Sequence, residues 1–459
     1  MSEKPFYMTT AELAAQFPDN VPQEFQLDAH LIWNSPAALD FNSPGAQGFG
    51  VKRAGLSIPG SIMLLISPGC CGRNTAALRG PGHYGERFAF YELQDNDIVT
   101  GRHLRRIPEA VEAFVASRKE KPSVVMLCLT CVDALLGTDM ERICRQAEKK
   151  CGLPVRPCYM YALTRDGSHP PMVAVREAIY SLLEPKAKDP QACNLLGYFA
   201  PIAPKSELPS LLQGWGVRRI RQLATCESYD AYQQMATANF NLVLDSEARD
   251  AARQMEKRLQ IPSIELRRTY QPDRIAHQYR ALAQILGITS KRHIPWMPAI
   301  MQDIHAFREQ HGELHFAIGS RLNANPFDLA LAFVRGGLTV EEIFANPRRD
   351  DAYYIRQLGQ LSPATRIYTN LSPTMVNYEA GDSHVTFALG EDACWYHPDV
   401  PGIGWHDEIQ PFGFTAIHAL LDAMRQKLGS AQRPVQQLLH AFHFIRPVRN
   451  KTAATIADH

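Results

Sequence analysis

The chain has 459 residues, of which 45% are hydrophobic and 21% charged, and its 48 basic side chains nearly balance the 47 acidic ones. This is the composition of an ordinary globular protein, and the net charge near zero gives no indication of nucleic-acid binding. Because the apolar runs are too short to span a membrane and the N-terminal segment lacks the apolar core of a signal peptide, we expect a cytoplasmic protein of two or three domains.

Short apolar runs alternate with amphipathic stretches along the whole chain. The predicted strands are 61–67, 123–129, 193–199, 241–245, 263–266, 313–319 and 384–389. The predicted helices, which have apolar residues three and four positions apart, are 133–149, 171–183, 246–258, 272–286, 328–335 and 414–428. This alternation predicts an α/β fold with parallel sheets that carry helices on both faces.

Charged residues and prolines interrupt this pattern at 184–192 and at 289–297. Such interruptions are typical of the connections between domains. The sequence therefore predicts three doubly wound, Rossmann-like domains, with a helical extension and a polar tail from Gln432, and their expected bounds are 1–190, 191–290 and 291–459.

Two of the predicted strands run directly into cysteines. The first is followed by Pro-Gly-Cys-Cys-Gly-Arg-Asn, which places Cys70 and Cys71 in a glycine-flanked turn at the carboxyl end of the strand. Ligands of open α/β sheets bind at this edge. The second is followed by Thr-Cys, so that Cys131 lies at the start of a helix, where the helix dipole lowers the pKa of a thiol and favours metal binding.

Other roles for these cysteines stay open on the sequence alone. Cys128 lies inside a predicted strand and is interpreted as a packing residue. Zinc is an alternative metal, although a structural zinc site usually combines two close cysteine pairs, and the adjacent Cys70 and Cys71 lack the usual gap. Thiol chemistry at Cys128-x-x-Cys131 is a further alternative. An iron-free thiol or zinc enzyme of this kind would be colourless.

At these two loops the chain resembles the nitrogenase component 1 superfamily. The Gly-Pro-x-Gly-Cys loop of that family is similar to Ser-Pro-Gly-Cys-Cys-Gly here, with Cys71 in the ligand position. Its Thr-Cys pair followed by Ile-Gly-Asp-Asp is similar to Thr-Cys131 followed by Leu-Gly-Thr-Asp139, and Ile-Pro-Ser-Ile-Glu-Leu at 261–266 matches a later family segment. The resemblance covers most of the chain and implies three doubly wound domains with a metal cluster at their junction.

The resemblance also implies a set of cluster ligands. Cys71 and Cys131 would hold an iron–sulfur cluster, P-cluster-like or 4Fe–4S, that is shared across a subunit interface, with Cys70 and Arg73 as further cofactor-binding residues. The first ligand cysteine of the family is absent from 37–50. Asp40 is the candidate oxygen ligand in its place, and an ordinary polar turn is the alternative for this segment.

The family's substrate-reducing cofactor has only weak counterparts in this chain. Asp245 stands where the α-type subunits carry a cysteine for that cofactor, and His406 is a loose counterpart of their cofactor histidine. These two residues are the candidate catalytic positions, and an ordinary polar loop histidine is the alternative for His406. A complex iron–sulfur cofactor would then be held by the partner subunit.

The function implied is that of an oxidoreductase subunit in a heterotetramer with a homologous component 1-like chain. This sequence contains no Gly-x-x-x-x-Gly-Lys-Ser/Thr motif, so the ATP would be bound by a separate homodimeric reductase similar to the Fe protein. The Cys70-Cys71 doublet resembles the more distant branches, which favours methylthio-alkane reductase and cleavage of carbon–sulfur bonds in small thioethers. The alternative function is that of a scaffold on which a complex iron–sulfur cofactor is assembled.

Overall fold

The structure is a computed structural model of the whole chain. It describes residues 4–25, 50–69, 87–130, 132, 136–159, 171–288, 296–370 and 372–431. Cys70, Cys71, Arg73, Cys131, Asp40 and the segment from Gln432 lie outside these residues.

The described residues form strands and helices that alternate along the chain. The strands are β1 Tyr7–Thr9, β2 Ile62–Ser67, β3 Phe88–Glu92, β4 Val125–Leu129, β5 Val155–Tyr159, β6 Asp189–Leu196, β7 Arg219–Gln222, β8 Ala238–Val243, β9 Ser263–Glu265, β10 His315–Gly319, β11 Thr339–Phe344, β12 Arg366–Tyr368, β13 Phe387–Leu389 and β14 Gly402–Ile403. The α-helices are α1 Thr10–Gln16, α2 Gly50–Gly55, α3 Asp95–Val99, α4 His103–Ala116, α5 Met140–Cys151, α6 Pro171–Ser181, α7 Glu207–Gly214, α8 Tyr229–Gln233, α9 Arg249–Leu259, α10 Pro272–Ile285, α11 Trp296–His311, α12 Pro326–Arg335, α13 Ala352–Leu361, α14 Glu391–Tyr396 and α15 Phe414–Ala431.

These strands form three sheets, one after another along the chain. The first has the order β3-β2-β4-β5 and the second the order β7-β6-β8-β9, and all neighbours in both sheets are parallel. The third has the order β1-β12-β11-β10-β13-β14. The predicted α/β fold with three parallel sheets is confirmed.

The N-terminal strand is the exception to parallel pairing. Strand β1 joins the edge of the third sheet and pairs with β12 in the antiparallel direction, so that Tyr7 lies opposite Tyr368. Residues 7–9 therefore pack with the last sheet and not with the first. The three expected domain bounds stay a prediction.

The sheets are covered by continuous apolar cores. Strands β2 and β4 are buried along their whole length, which is why they read as unbroken apolar runs in the sequence. One buried cluster, which contains Leu65 and Leu196, joins the first sheet to the second. Another, which contains Leu242 and Phe316, joins the second sheet to the third. We call each sheet, together with the helices that cover it, a unit, and number the units as the sheets are numbered. The three units thus pack directly on one another.

Helix bounds follow the local capping residues. Helix α5 begins at Met140 because the Asp139 carboxylate accepts a hydrogen bond from the backbone N–H of Arg142, and it ends at Gly152, which adopts a φ of 68°. Helix α12 begins with Pro326, and the Asn325 side chain caps its first turn. No helix in the described part of the chain is long and apolar enough to cross a membrane.

Candidate functional site

The two strands that precede the predicted cluster cysteines are neighbours in the first sheet. Strands β2 and β4 pair in parallel, and Ile66 lies opposite Leu129 at their carboxyl ends. Adjacent strands are about 4.8 Å apart, and four residues of extended chain span at most about 14 Å. Cys71 follows β2 by four residues and Cys131 follows β4 by two, so this pairing permits the two cysteine loops to meet.

The last described residues before these loops are tightly placed. Thr130 is 4% exposed, and its hydroxyl has no hydrogen-bond partner among the described residues. A Cβ atom on Gly69 would lie only 2.6 Å from Oε1 of Glu92, so the chain leaves β2 in close contact with the end of β3. A buried hydroxyl normally has a partner, and a cluster sulfur or thiolate next to Thr130 fits that requirement.

The cysteines within the described residues are poor metal ligands. They are Cys128, Cys144, Cys151, Cys158, Cys193, Cys226 and Cys394. Burial raises the pKa of the Cys193 and Cys394 thiols to about 12 and also raises the pKa of Cys144 and Cys158, which disfavours the thiolate that binds metal. Cys128 is fully buried in the core beside the first sheet, as its packing role predicts. The described residues contain no group of three or more His, Cys, Asp or Glu that could hold a metal ion.

Asp245 lies at the carboxyl end of the second sheet, just after β8. Its carboxylate accepts a hydrogen bond from the backbone N–H of Glu247 at 2.9 Å and so caps the turn that precedes α9. Gly197, which follows β6, has a φ of 124°, and a Cβ atom there would lie 2.7 Å from Cβ of Asp245. The position of Asp245 is therefore constrained by its hydrogen bond to the Glu247 backbone and by the close approach of Gly197.

Two arginines lie at the same edge of the second sheet as Asp245. The buried Arg176 donates two hydrogen bonds to the carbonyl of Gly197 and forms an ion pair with Glu247 at 2.7 Å. Arg268 donates to the Tyr198 hydroxyl at 3.0 Å and lies over the Tyr198 ring at 4.6 Å. This edge of the second sheet is consequently rich in guanidinium groups.

Arg268 also connects this edge to the loop that contains His406. We call residues 404–410 the junction loop. Arg268 donates to Oε1 of Gln410 at 2.7 Å, and the Gln410 backbone pairs with Pro201 and Ala203. Burial alone would lower the pKa of Arg268, but Tyr198 and Asp245 are among the side chains that hold it above its ordinary value. Arg268 therefore joins the junction loop to Tyr198, next to Gly197 at the edge of the sheet that also contains Asp245.

The junction loop contacts all three units of the fold. Glu408 forms an ion pair with Arg53 of α2 at 3.2 Å, beside the first sheet. The carbonyls of Trp405 and Asp407 accept hydrogen bonds from the backbone and side chain of Asn323, after β10 of the third sheet. With the contacts of Gln410 to the second unit, the loop lies where the three units meet.

His406 projects from this loop toward the N-terminus of α14. Its Nδ1 lies 3.6 Å from Oε2 of Glu391, and both side chains are more than one third exposed. Arg321 is nearby: burial lowers the pKa of its guanidinium, while the charges of Glu391 and Asp392 oppose that shift. His406 is accordingly available to a ligand at the junction. No contact within the described residues joins it directly to Asp245.

The arginines of this junction were not among the site residues expected from the sequence. Arg176 lies in a helix and Arg268 in an irregular segment, so neither has a motif that could have indicated its position. The positive φ of Gly197 at a strand end is the one local signal, because glycine there permits the close approach of Asp245.

A family model described as nitrogenase component 1 type oxidoreductase matches residues 46–392. The chain belongs to this family. The match ends before the junction loop, which fits the loose resemblance noted for His406.

Similar curated proteins match a little under half of this chain. The nitrogenase iron-molybdenum cofactor biosynthesis protein NifE of Sinorhizobium fredii is 30% identical over 214 residues, which cover 44% of this chain and 42% of that protein. NifE of Nostoc sp. is 24% identical over 235 residues, or 47% of this chain and 48% of that protein. The chain thus matches less than half the length of these relatives.

Solved structures match over nearly the whole chain. The structure of nitrogenase Cp1 at pH 6.5 has a TM-score of 0.65 and 14% sequence identity, and the match covers 90% of this chain and 96% of that one. Nitrogenase Cp1 at pH 5 gives a TM-score of 0.61 with 15% identity. At these identities the likeness establishes the nitrogenase component 1 fold.

Proposed function

We propose that this nitrogenase component 1-type chain binds an iron–sulfur cluster beyond β2 and β4 and takes part in assembling a complex iron–sulfur cofactor. Cys71 and Cys131 are the proposed ligands, with Cys70, Arg73 and Asp40 as additional residues at the cluster. The pairing of β2 with β4 supports this assignment because it brings the starts of both cysteine loops to one edge of the sheet. When bound, the cluster would store and transfer single electrons.

The position of Asp245 is the observation that favours cofactor assembly over substrate turnover. In the α-type subunits that the chain resembles, a cysteine thiolate would hold the substrate-reducing cofactor at this point. Here the residue is a carboxylate that caps a turn, and its charge helps to raise the pKa of the Arg268 guanidinium. The Arg268 guanidinium and the His406 imidazole would hold an anionic cofactor through charge and hydrogen bonds, which can be broken more readily than iron–thiolate bonds, while the Asp245 carboxylate offers the cofactor no thiolate ligand.

The curated relatives point in the same direction. Both proteins compared above are described as iron-molybdenum cofactor biosynthesis proteins. An assembly scaffold must release its product, and weak ligation at the junction loop suits that requirement. A homologous component 1-like subunit, sharing the cluster at the interface, is the proposed partner.

The first experiment measures iron and acid-labile sulfide in the chain purified anaerobically with whatever accompanies it. We expect several irons per chain, an EPR signal from the cluster and a partner of similar size. A colourless protein with zinc alone, or with no metal, would refute the proposed iron–sulfur cluster. It would favour zinc binding or thiol chemistry as the role of the cysteines.

Cysteine variants then test the ligands. Cys71→Ala and Cys131→Ala are expected to lose iron while the apolar cores stay folded, because strands β2 and β4 before them are buried along their whole length without the cysteines. Cys193→Ala and Cys394→Ala are matched controls, since their buried, protonated thiols are unsuited to metal. Equal iron content in all four variants would refute the ligand assignment.

The second candidate function is reduction of a small substrate, with methylthio-alkanes as the specific expectation. The family itself, described as an oxidoreductase type, favours this alternative. The purified complex should be supplied with an ATP-dependent reductase of the Fe-protein type, a reductant and a small thioether. Repeated turnover to a thiol and a hydrocarbon would reject the scaffold function, whereas a single stoichiometric transfer of cofactor to an apo acceptor would support it.

A further inference from the structure

A row of tyrosines crosses the third sheet from the surface to its core. Tyr7 and Tyr368 lie opposite each other in β1 and β12, and their ring centroids are 5.4 Å apart. Tyr368 lies 5.2 Å from Tyr378, and Tyr378 lies 4.9 Å from Tyr396. At these distances the ring edges touch. Phe344, opposite Tyr368 in β11, contacts the three inner rings.

The outer end of this row is open to water and the inner end is not. Tyr7 is 46% exposed, while Tyr368, Tyr378 and Tyr396 are each 9% exposed or less. Electrons move rapidly between aromatic rings in contact, so an oxidising equivalent that arrives at Tyr7 has a continuous route inward. The strand register produces this row, because Tyr7, Tyr368 and Phe344 occupy one line across three strands.

The Tyr378 hydroxyl faces a buried carboxylate base. It donates to Oε2 of Glu342 at 2.6 Å, and His397 Nε2 lies 2.8 Å from the same oxygen and 3.0 Å from the phenol oxygen. The Glu342 side chain is fully buried, and its other oxygen lies 2.7 Å from Arg366, the residue opposite it in β12. By contrast, the hydroxyl of Tyr396 donates to the amide oxygen of Asn370, which is a much weaker base.

We propose that Tyr378 is a redox-active tyrosine that takes up oxidising equivalents delivered through Tyr7 and Tyr368 and passes its phenolic proton to Glu342. The oxidant is an oxygen-derived radical at the protein surface. Tyr7 gives one electron to that radical, which gains a proton from water and becomes a closed-shell product. Electrons then move outward from Tyr378 through Tyr368 to restore Tyr7.

The proton movement at Tyr378 completes the step. Its O–H bond breaks, the proton binds Oε2 of Glu342, and a neutral phenoxyl radical is left. Oxidation makes the phenol a much stronger acid than a carboxylic acid, so the transfer is favourable even though His397 and Arg366 stabilise the Glu342 carboxylate. Because the proton travels only along an existing hydrogen bond, Tyr378 is the point in the row where the radical comes to rest.

The test uses the full chain under anaerobic conditions with a photogenerated ruthenium(III) bipyridyl oxidant, followed by freezing and EPR. The wild-type protein should give a tyrosyl radical whose yield falls severalfold in Tyr378→Phe and also falls in Tyr7→Phe. Tyr232→Phe is the matched control, because Tyr232 is equally buried but donates to the carbonyl of Ile179. Its radical yield should equal that of the wild type.

A radical of the same yield and spectrum in Tyr378→Phe would overturn the proposal. If that variant does not fold, a fluorinated tyrosine placed at 378 keeps the hydroxyl and nearly the same volume. The fluorine should then split the EPR spectrum, and an unchanged spectrum would equally overturn the assignment to Tyr378.

Discussion

Asp392 is the buried carboxylate that organises the carboxyl edge of the third sheet, next to Glu391 and the junction loop. It is fully buried and accepts four hydrogen bonds, from the backbone and hydroxyl of Ser320 at 2.8 and 2.7 Å, from the backbone of Arg321 at 3.0 Å and from the side chain of Asn370 at 3.0 Å. Asp392→Ala leaves these donors without that acceptor. Each such bond contributes about 1.5–3 kcal/mol, but their losses are not additive. For a buried charged network we expect a total loss of about 3–5 kcal/mol in the free energy of unfolding.

Urea denaturation followed by tryptophan fluorescence measures this loss, since Trp395 and Trp405 lie on the same edge. With a slope of about 3 kcal/mol per M, the midpoint should fall by roughly 1–2 M. Asp399→Ala is the matched control, because Asp399 is exposed in the same unit and its loss should change the free energy by less than about 0.5 kcal/mol. Equal midpoints for the two variants would refute the network that we assign to Asp392.

Three further predictions concern the second unit and its contacts with the third. Gly197→Ala should cost about 1–3 kcal/mol and displace Asp245, because the new Cβ meets a positive φ and a 2.7 Å contact; an unchanged urea midpoint would contradict this. Burial raises the pKa of Asp328, so the folded protein keeps that proton to higher pH than the unfolded chain, and stability should fall as the pH rises from the ordinary carboxyl pKa to the raised one. Asp328→Asn should remove that part of the slope in a series of urea midpoints against pH, and an identical slope would reject the assignment. Arg268→Lys should lose the planar contact with Tyr198 and about 1–2 kcal/mol, which a wild-type midpoint would disprove.

The sequence predicted the central strands of the first two sheets, and in the third sheet it predicted β10 and β13 but not β11. All seven predicted strands are present, and β2 and β4 were the clearest, because strands buried on both faces are apolar along nearly their whole length. All six predicted helices are present too, with bounds that shift where a cap intervenes, as at Met140. These features depend on local patterns that a single sequence contains.

The elements that were missed lie mostly at sheet edges or break the simple pattern. Strands β7, β12 and β14 are two to four residues long and contain charged residues or glycine, so they show no apolar run. Helix α4 contains Pro108, which interrupts the helical pattern. The pairing of β1 with β12 joins residues more than 350 positions apart, and no local pattern could predict it.

The sequence predicted which kinds of residue form the candidate site, but not how those residues are arranged in space. The sequence placed cysteines after two strands, and the structure shows that those strands are neighbours. It also identified Asp245 and His406 as positions of interest without placing them near each other. Their relation through Arg268 depends on Gln410, which lies 142 residues further along the chain than Arg268.

The two parts of the junction differ in how strongly each would bind iron, and this difference supports the proposed function. In the proposed function, the cysteines that follow β2 and β4 in the sequence would bind iron through lasting thiolate bonds. In the second and third units Arg268 and His406 would hold an anionic cofactor by charge and by hydrogen bonds, and Asp245 replaces the thiolate that would retain it. A chain that keeps one cluster permanently and contacts another reversibly has the chemistry that assembly and transfer require. Replacing Asp245 with cysteine would test this argument directly, because a new thiolate at that position should make the chain retain cofactor that the natural chain releases.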